Sequence, residues 1–287
     1  WVQAVTVDPP GGVMRAQLMP PIRVTKRLQP VALLNPDPGV YIYDLGQNIT
    51  GWVRLKVEGQ RGTEVKMRFA EVLDDCGRLD TRINREAKAT DTYILKGKGV
   101  EVYEPRFTYH GFRYVEITGY PGTPGLDSVE GCFVHTDVGY TGGFSCSHQL
   151  FNQIHQNVIY GQLANLMSVP TDCPQRDERL GWMGDAQLVA EEAIYNFDMA
   201  AFYVKYLQDI KDAQKEDGTL SDVVPPYWPL YPADPAWGTA YITLVWEMYR
   251  FYHDLEILKE HYDSMKKYVE SLQSIEEDGL VTHVKYG

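Results

Sequence analysis

Residues 133–166 read FVHTDVGYTGGFSCSHQLFNQIHQNVIYGQLANL, and within them the spacing of apolar side chains changes. Up to Val138 the run VEGCFVHTDV carries the alternation of a strand whose two faces meet different surroundings. Beyond Gly142 and Gly143, the residues Leu150, Ile154, Val158, Leu163 and Leu166 recur at intervals of three to five, which gathers them on one face of a helix. Ser147 stands where an N-cap is expected. A sheet therefore gives way to helices between about residues 138 and 145, and the chain divides there.

Upstream, VYIYDLG, WVRLKVEG, TEVKMRFAEVL, DTYILKG and RFTYHGFRYVEITGY alternate in the same way, with Gly or Pro between them. Several short strands separated by turns describe an antiparallel β-sandwich over residues 37–140. Residues 1–36 carry two Pro pairs and Gly11-Gly12, so they read as an entering strand and linker from an upstream domain. Downstream, helical runs are expected at about 184–196, 198–215, 237–253 and 255–274, with Asp-Gly turns at 217 and 278 closing two of them. Five helices with broad apolar faces describe the start of a helical barrel or toroid. A full barrel of paired helices needs about twice the length that follows residue 145, given helices of about 11 to 12 residues and their connections. Residues 141–287 are therefore expected to be the N-terminal part of a truncated barrel.

Charge narrows the partners. The 287 residues carry a net charge of −12, with 17 basic and 17 acidic residues before Tyr140 and 10 basic and 22 acidic from there on. All the excess negative charge lies in the helical part, where a nucleic acid or an anionic membrane would need a basic face. Neutral ligands are favoured. Twenty Tyr and six Trp offer flat apolar faces with polar edges. Cys76, Cys132, Cys146 and Cys173 have neither CxxC spacing nor clustering, so they are expected to be buried thiols and not zinc ligands or a disulfide framework. No HExxH, Walker loop or GxGxxG is present. No metal or cofactor is expected. The chain opens at Trp1 with no leader pattern, and no apolar run approaches the ~20 residues that span a bilayer, so a cytoplasmic enzyme is favoured with its N-terminus incomplete.

The segment 170–187, PTDCPQRDERLGWMGDAQ, is the best place for chemistry. It sets Asp172, Asp177, Glu178 and Asp185 around Arg176, Arg179 and Trp182, which describes a polar pocket with an apolar wall. Asp172, Glu178 and Asp185 can converge if the loop folds back on the helix beginning near Gly184, and crowded carboxylates raise the pKa of one member. Protonation of a glycosidic oxygen needs such an acid. The alternative is a salt-bridge knot of Asp172 and Asp177 with Arg176 and Arg179, with Asp185 capping a helix. Both readings stay open on the residues alone. Trp182 and Trp237 could face a pyranose or simply pack. Asp222, in GTLSDVVPP, could bind a hydroxyl or form an Asx turn. His110 and His135 lie on strand patterns and read as satisfied sheet histidines.

The same segment resembles the signature of bacterial α-L-rhamnosidases of glycoside hydrolase family 78. The likeness extends through PPIRVTKRLQPV, YDLGQNITGWVRLKVEG, RFAEVL, AKATDTYILKG and YEPRFTYHGFRYVEI upstream. Downstream it continues through AEEAIYNFDMAAFYVKYLQDIKDAQ and SDVVP. The resemblance implies an antiparallel β-sandwich followed by an incomplete (α/α)6 barrel. It further implies inverting hydrolysis of terminal α-L-rhamnosides, with Glu178 as general acid and Asp172, Arg176, Trp182, Asp185 and Trp237 in the rhamnose pocket. Asp222 is carried as a further sugar contact. The family's general base, a Glu much later in the barrel, has no match before Gly287, so residues 1–287 alone are expected to be inactive. Two other classes compete: a non-catalytic carbohydrate-binding or scaffold segment, and a different activity on a helical toroid, such as a lyase, which the negative charge disfavours.

Overall fold

The computed structural model of this chain describes residues 2–9, 11, 13–228 and 230–281. Among these, ten strands precede six helices. The strands are β1 (Ile22–Leu28), β2 (Ala32–Asp37), β3 (Val40–Glu58), β4 (Glu64–Ala70), β5 (Val72–Leu73), β6 (Leu79–Asp80), β7 (Thr90–Ile94), β8 (Val100–Tyr103), β9 (His110–Thr118) and β10 (Val129–Thr136). The helices are α1 (Gln149–Ala164), α2 (Met183–Asn196), α3 (Ala200–Ala213), the single turn α4 (Pro235–Gly238), α5 (Ala240–Tyr252) and α6 (Leu255–Gln273). A small hairpin, Glu276–Glu277 with Leu280–Val281, follows.

The antiparallel ladder runs β1-β10-β3-β9-β4-β7, with β2 and β8 also paired to β3. VYIYDLG and WVRLKVEG, expected as two strands, are one 19-residue strand. Its first part pairs with β2 and β9 and its last part with β10 and β8, so β3 passes from one layer of the sandwich to the other. Gly51 makes the crossing possible. Its φ is +137°, and a Cβ there would lie 2.0 Å from the Cys132 carbonyl oxygen, a position no other residue can hold. Beyond Gly51 the inward alternation is clean: Val53, Leu55 and Val57 join Val65, Met67, Phe69, Val115 and Ile117 in the core.

The helices rest on this sandwich. Phe133 of β10 stacks on Tyr160 of α1 with ring centroids 5.6 Å apart, and the Thr136 amide donates to the Leu166 carbonyl at 2.7 Å. α2 packs on α5, and α5 in turn meets α3 and α6. Leu150, Phe151, Ile154 and Val158 leave an apolar stripe of α1 exposed, as a helix of a larger barrel would. Ser147 does not cap α1. His148 holds the N-cap position, and Asn152 folds back to bond both the amide and the carbonyl of Cys146 at 2.8 Å. Of the four free cysteines only Cys132 and Cys173 are buried, because Cys76 falls in a turn and Cys146 in the segment before α1, both outside the cores. Among the described residues no helix is long and apolar enough to cross a membrane.

Candidate active site

The loop between α1 and α2 is tied at its base. Asn165 accepts the Thr171 amide at 2.8 Å, and Asp172 and Leu180 close the segment between them, the Leu180 amide donating to Asp172 Oδ1 at 2.8 Å and the Asp172 amide to the Leu180 carbonyl at 3.0 Å. This closure projects Glu178 inward. Its Oε1 accepts from Trp182 Nε1 at 2.9 Å, and its Oε2 accepts from Arg176 Nε at 2.9 Å and from Arg85 Nη1 at 3.1 Å. Arg176 also reaches Asp172 Oδ2 at 3.4 Å. The salt-bridge knot therefore exists, but Glu178 is at its centre. Asp177 is exposed, and Arg179 leaves the knot to donate to the Tyr109 carbonyl at 2.7 Å and lie over that ring.

Asp185 lies in the first turn of α2, where the N-cap is Trp182, so Asp185 is not the cap. Its side chain touches solvent, yet the protein around it strips enough water to push its carboxyl above the usual carboxylate range. The charges of Asp172 and Glu178 push the same way, and Arg176 opposes them. Asp172, Asp185 and Glu192 line a cavity of about 300 Å³ with Asn165, Thr171 and Val189. Burial likewise raises Glu192, against the hydrogen bond that Asn196 donates at 2.7 Å.

The remaining predicted residues arrive on the next interhelical loop. The Val224 amide bonds the Gly181 carbonyl and the Met183 amide bonds the Asp222 carbonyl, which lays residues 222–224 beside Trp182. The Asp222 carboxylate is buried and accepts the Asp234 amide at 2.8 Å, so it fixes the loop that carries Trp237. The Trp237 indole lies against Gly184, at 37% exposure. Glu178, Asp172, Arg176 and Trp182 are thus in one hydrogen-bonded group, with Asp185 electrostatically adjacent; Trp237 and the Asp222 carboxylate stand behind the start of α2.

Two residues escaped sequence reasoning. Trp228 meets Trp182 edge to face with centroids 6.3 Å apart, and Arg85 comes from the sandwich. Nothing in TRINREA marks Arg85, since 93 positions separate it from Glu178. Asp172, Cys173 and Glu178 place ligand atoms within 4.8 Å of one another, a spacing open to a cation. Their chemistry does not fit one. Burial, then the hydrogen bond with Asp172, pushes the Cys173 thiol up to about 11, and guanidinium groups already pair with both carboxylates.

Residues 140–287 match the family model of the bacterial alpha-L-rhamnosidase 6 hairpin glycosidase domain. The chain belongs to that family. Residues 34–135 match the bacterial alpha-L-rhamnosidase concanavalin-like domain, which places the sandwich of this rhamnosidase-family chain as well. A curated alpha-L-rhamnosidase of Streptomyces avermitilis is 45% identical over 266 residues, covering 93% of this chain and 26% of the relative. The structure of an alpha-L-rhamnosidase from Dictyoglumus thermophilum superposes with a TM-score of 0.96 at 59% identity, over 98% of this chain and 32% of that one. The Streptomyces avermitilis enzyme crystallised with L-rhamnose gives 0.89 at 45% identity, over 91% and 26%. The chain spans about a quarter to a third of the length of these relatives.

Proposed function

We propose that this chain carries the acid-bearing part of the active site of an α-L-rhamnosidase that cleaves terminal α-L-rhamnosides with inversion. The observation that carries this reading is Glu178, mostly enclosed and oriented through both oxygens beside an acid-lined cavity. In such a reaction the acid protonates the aglycone oxygen as the bond to the anomeric carbon breaks. A second carboxylate, about 6.5 to 9.5 Å away, removes a proton from the water that adds to the opposite face. Asp172 sits too close to Glu178 to leave room for that water, and the resemblance to the family implies that the base is a Glu later in the barrel. The rings of Trp182, Trp228 and Trp237 would supply apolar faces for the sugar, with Asp172, Arg176 and Asp185 toward its hydroxyls. Asp222 acts by holding the Trp237 loop.

Glu178→Gln in the intact protein tests the assignment. Loss of ~10²- to 10⁴-fold in kcat on an unactivated rhamnoside, with L-rhamnose affinity retained, is the expected outcome. Full turnover would remove Glu178 from the acid's role, and proton NMR of the first-formed anomer checks the inversion.

A further inference from the structure

The carboxyl of Glu178 accepts three hydrogen bonds divided unequally between its oxygens. Oε2 takes both guanidinium donors, from Arg176 at 2.9 Å and Arg85 at 3.1 Å, while Oε1 takes only the Trp182 indole N–H. A carboxyl oxygen has two lone pairs, so Oε2 is filled and cannot also carry a proton. Oε1 keeps one site. We propose that Arg85, delivered by the β-sandwich, is a positioning residue that confines the transferable proton of Glu178 to Oε1. As the glycosidic bond breaks, its electron pair stays on the aglycone oxygen and the Oε1 proton joins it. Glu178 is left as a carboxylate facing two guanidinium groups. The inference rests on the reading of Glu178 as the acid.

Without Arg85, Oε2 has a vacant lone pair and the proton can sit on either oxygen, one of them turned away from the aglycone. Arg176 and Trp182 share a loop with Glu178 and hold it whatever the sandwich does. Among the described residues Arg85 alone links the two parts of the chain at this atom. Its turn takes an uncommon backbone path: Arg85 and Ala89 both have positive φ, +51° and +40°. The turn is anchored where Asn84 donates to the Phe69 carbonyl at 3.0 Å and the Phe69 amide donates to Ala89 at 3.0 Å. The sandwich is also clamped to the acid's loop. A Cβ on Gly111 would lie 2.8 Å from Pro174, and Arg179 bonds Tyr109. Arg85 thus holds a fixed place relative to Glu178.

Leaving-group dependence tests this, because an activated aryl aglycone departs with little protonation whereas an alkyl aglycone needs it. Arg85→Gln and Arg85→Lys are compared with Glu178→Gln in the intact protein, on 2,4-dinitrophenyl and methyl α-L-rhamnosides, with melting temperatures measured alongside. The Arg85 side chain is 58% exposed, so its ion pair adds little to stability and the variants should fold. Arg85→Gln is expected to lose about tenfold more kcat on the methyl than on the dinitrophenyl substrate, a fraction of the acid's whole contribution, with Arg85→Lys recovering part of it. Equal losses on both substrates, beside a selective loss in Glu178→Gln, would overturn the positioning role and leave Arg85 as a domain tie. If Glu178→Gln is itself unselective, the acid assignment fails first and takes this inference with it.

Discussion

Replacing Gly184 with alanine sets helix propensity against packing, and the structure decides the balance. Gly184 is the second residue of α2, where alanine ordinarily stabilises a helix by ~1 kcal/mol. Here the new Cβ would lie 2.6 Å from Cε2 and 2.8 Å from Cδ2 and Nε1 of Trp237. Carbon contacts settle at about 3.5 to 4.0 Å, so the indole must retreat by ~1 Å. Its helix α4 cannot follow freely: Asp234 caps it, Asp222 holds the Asp234 amide, and Gly238 lies against the Tyr268 hydroxyl. Overpacking of this kind costs about 1 to 3 kcal/mol, which leaves a net destabilisation of about 0 to 2 kcal/mol after the propensity gain. If the indole faces the sugar, the same displacement weakens L-rhamnose binding, and 1.4 kcal/mol lost there raises Kd about tenfold. Thermal denaturation and isothermal titration of Gly184→Ala in the intact protein measure the two effects. A variant with a raised melting temperature and an unchanged Kd would refute both the packing argument and the sugar role of Trp237.

Other perturbations separate the remaining ideas. Asp185→Asn removes a carboxyl whose folded pKa is raised by burial. Charging such a group costs stability above its folded pKa and nothing below the unfolded value of about 3.9. The melting temperature of the variant relative to wild type should therefore rise from pH 4 to pH 7, and a constant difference would contradict the assignment. Gly51→Ala puts a Cβ 2.0 Å from the Cys132 carbonyl oxygen and should cost upward of ~3 kcal/mol in urea unfolding or prevent folding, whereas a tolerated alanine would mean that β3 does not cross there. Among the four cysteines, Cys76 and Cys146 should label rapidly with a thiol reagent, while Cys132 and Cys173, pushed up to about 12 and about 11 by burial, should label slowly by peptide mass spectrometry.

Much of the architecture was legible because it is local. Alternation in WVRLKVEG and the intervals between Leu150 and Leu166 are properties of neighbouring residues, and they survive folding because one face of each element must be buried. The sequence misplaced features where a single residue's conformation outweighs pattern. The stretch QNITG reads as a turn between two strands, yet a glycine that fits against the Cys132 carbonyl lets β3 continue into the second layer. Ser147 reads as a cap, yet His148 holds the N-cap position without a side-chain cap bond, and Asn152 ties the preceding loop by folding back on Cys146.

The candidate site divides in the same way. The sequence by itself determined that Asp172, Arg176, Glu178, Trp182 and Asp185 occupy one short stretch, and their chemistry and resemblance pointed to glycoside hydrolysis. Only the tertiary structure decided that Glu178 lies inside the salt-bridge knot, that the Asp185 carboxyl is pushed above its ordinary range, and that Asp222 supports Trp237 through a loop amide. It alone brought Arg85 to the acid across 93 positions. The reason is physical: periodicity encodes which face of an element is buried, but a hydrogen bond between distant elements depends on how the sandwich packs on the helices, and no local pattern records that.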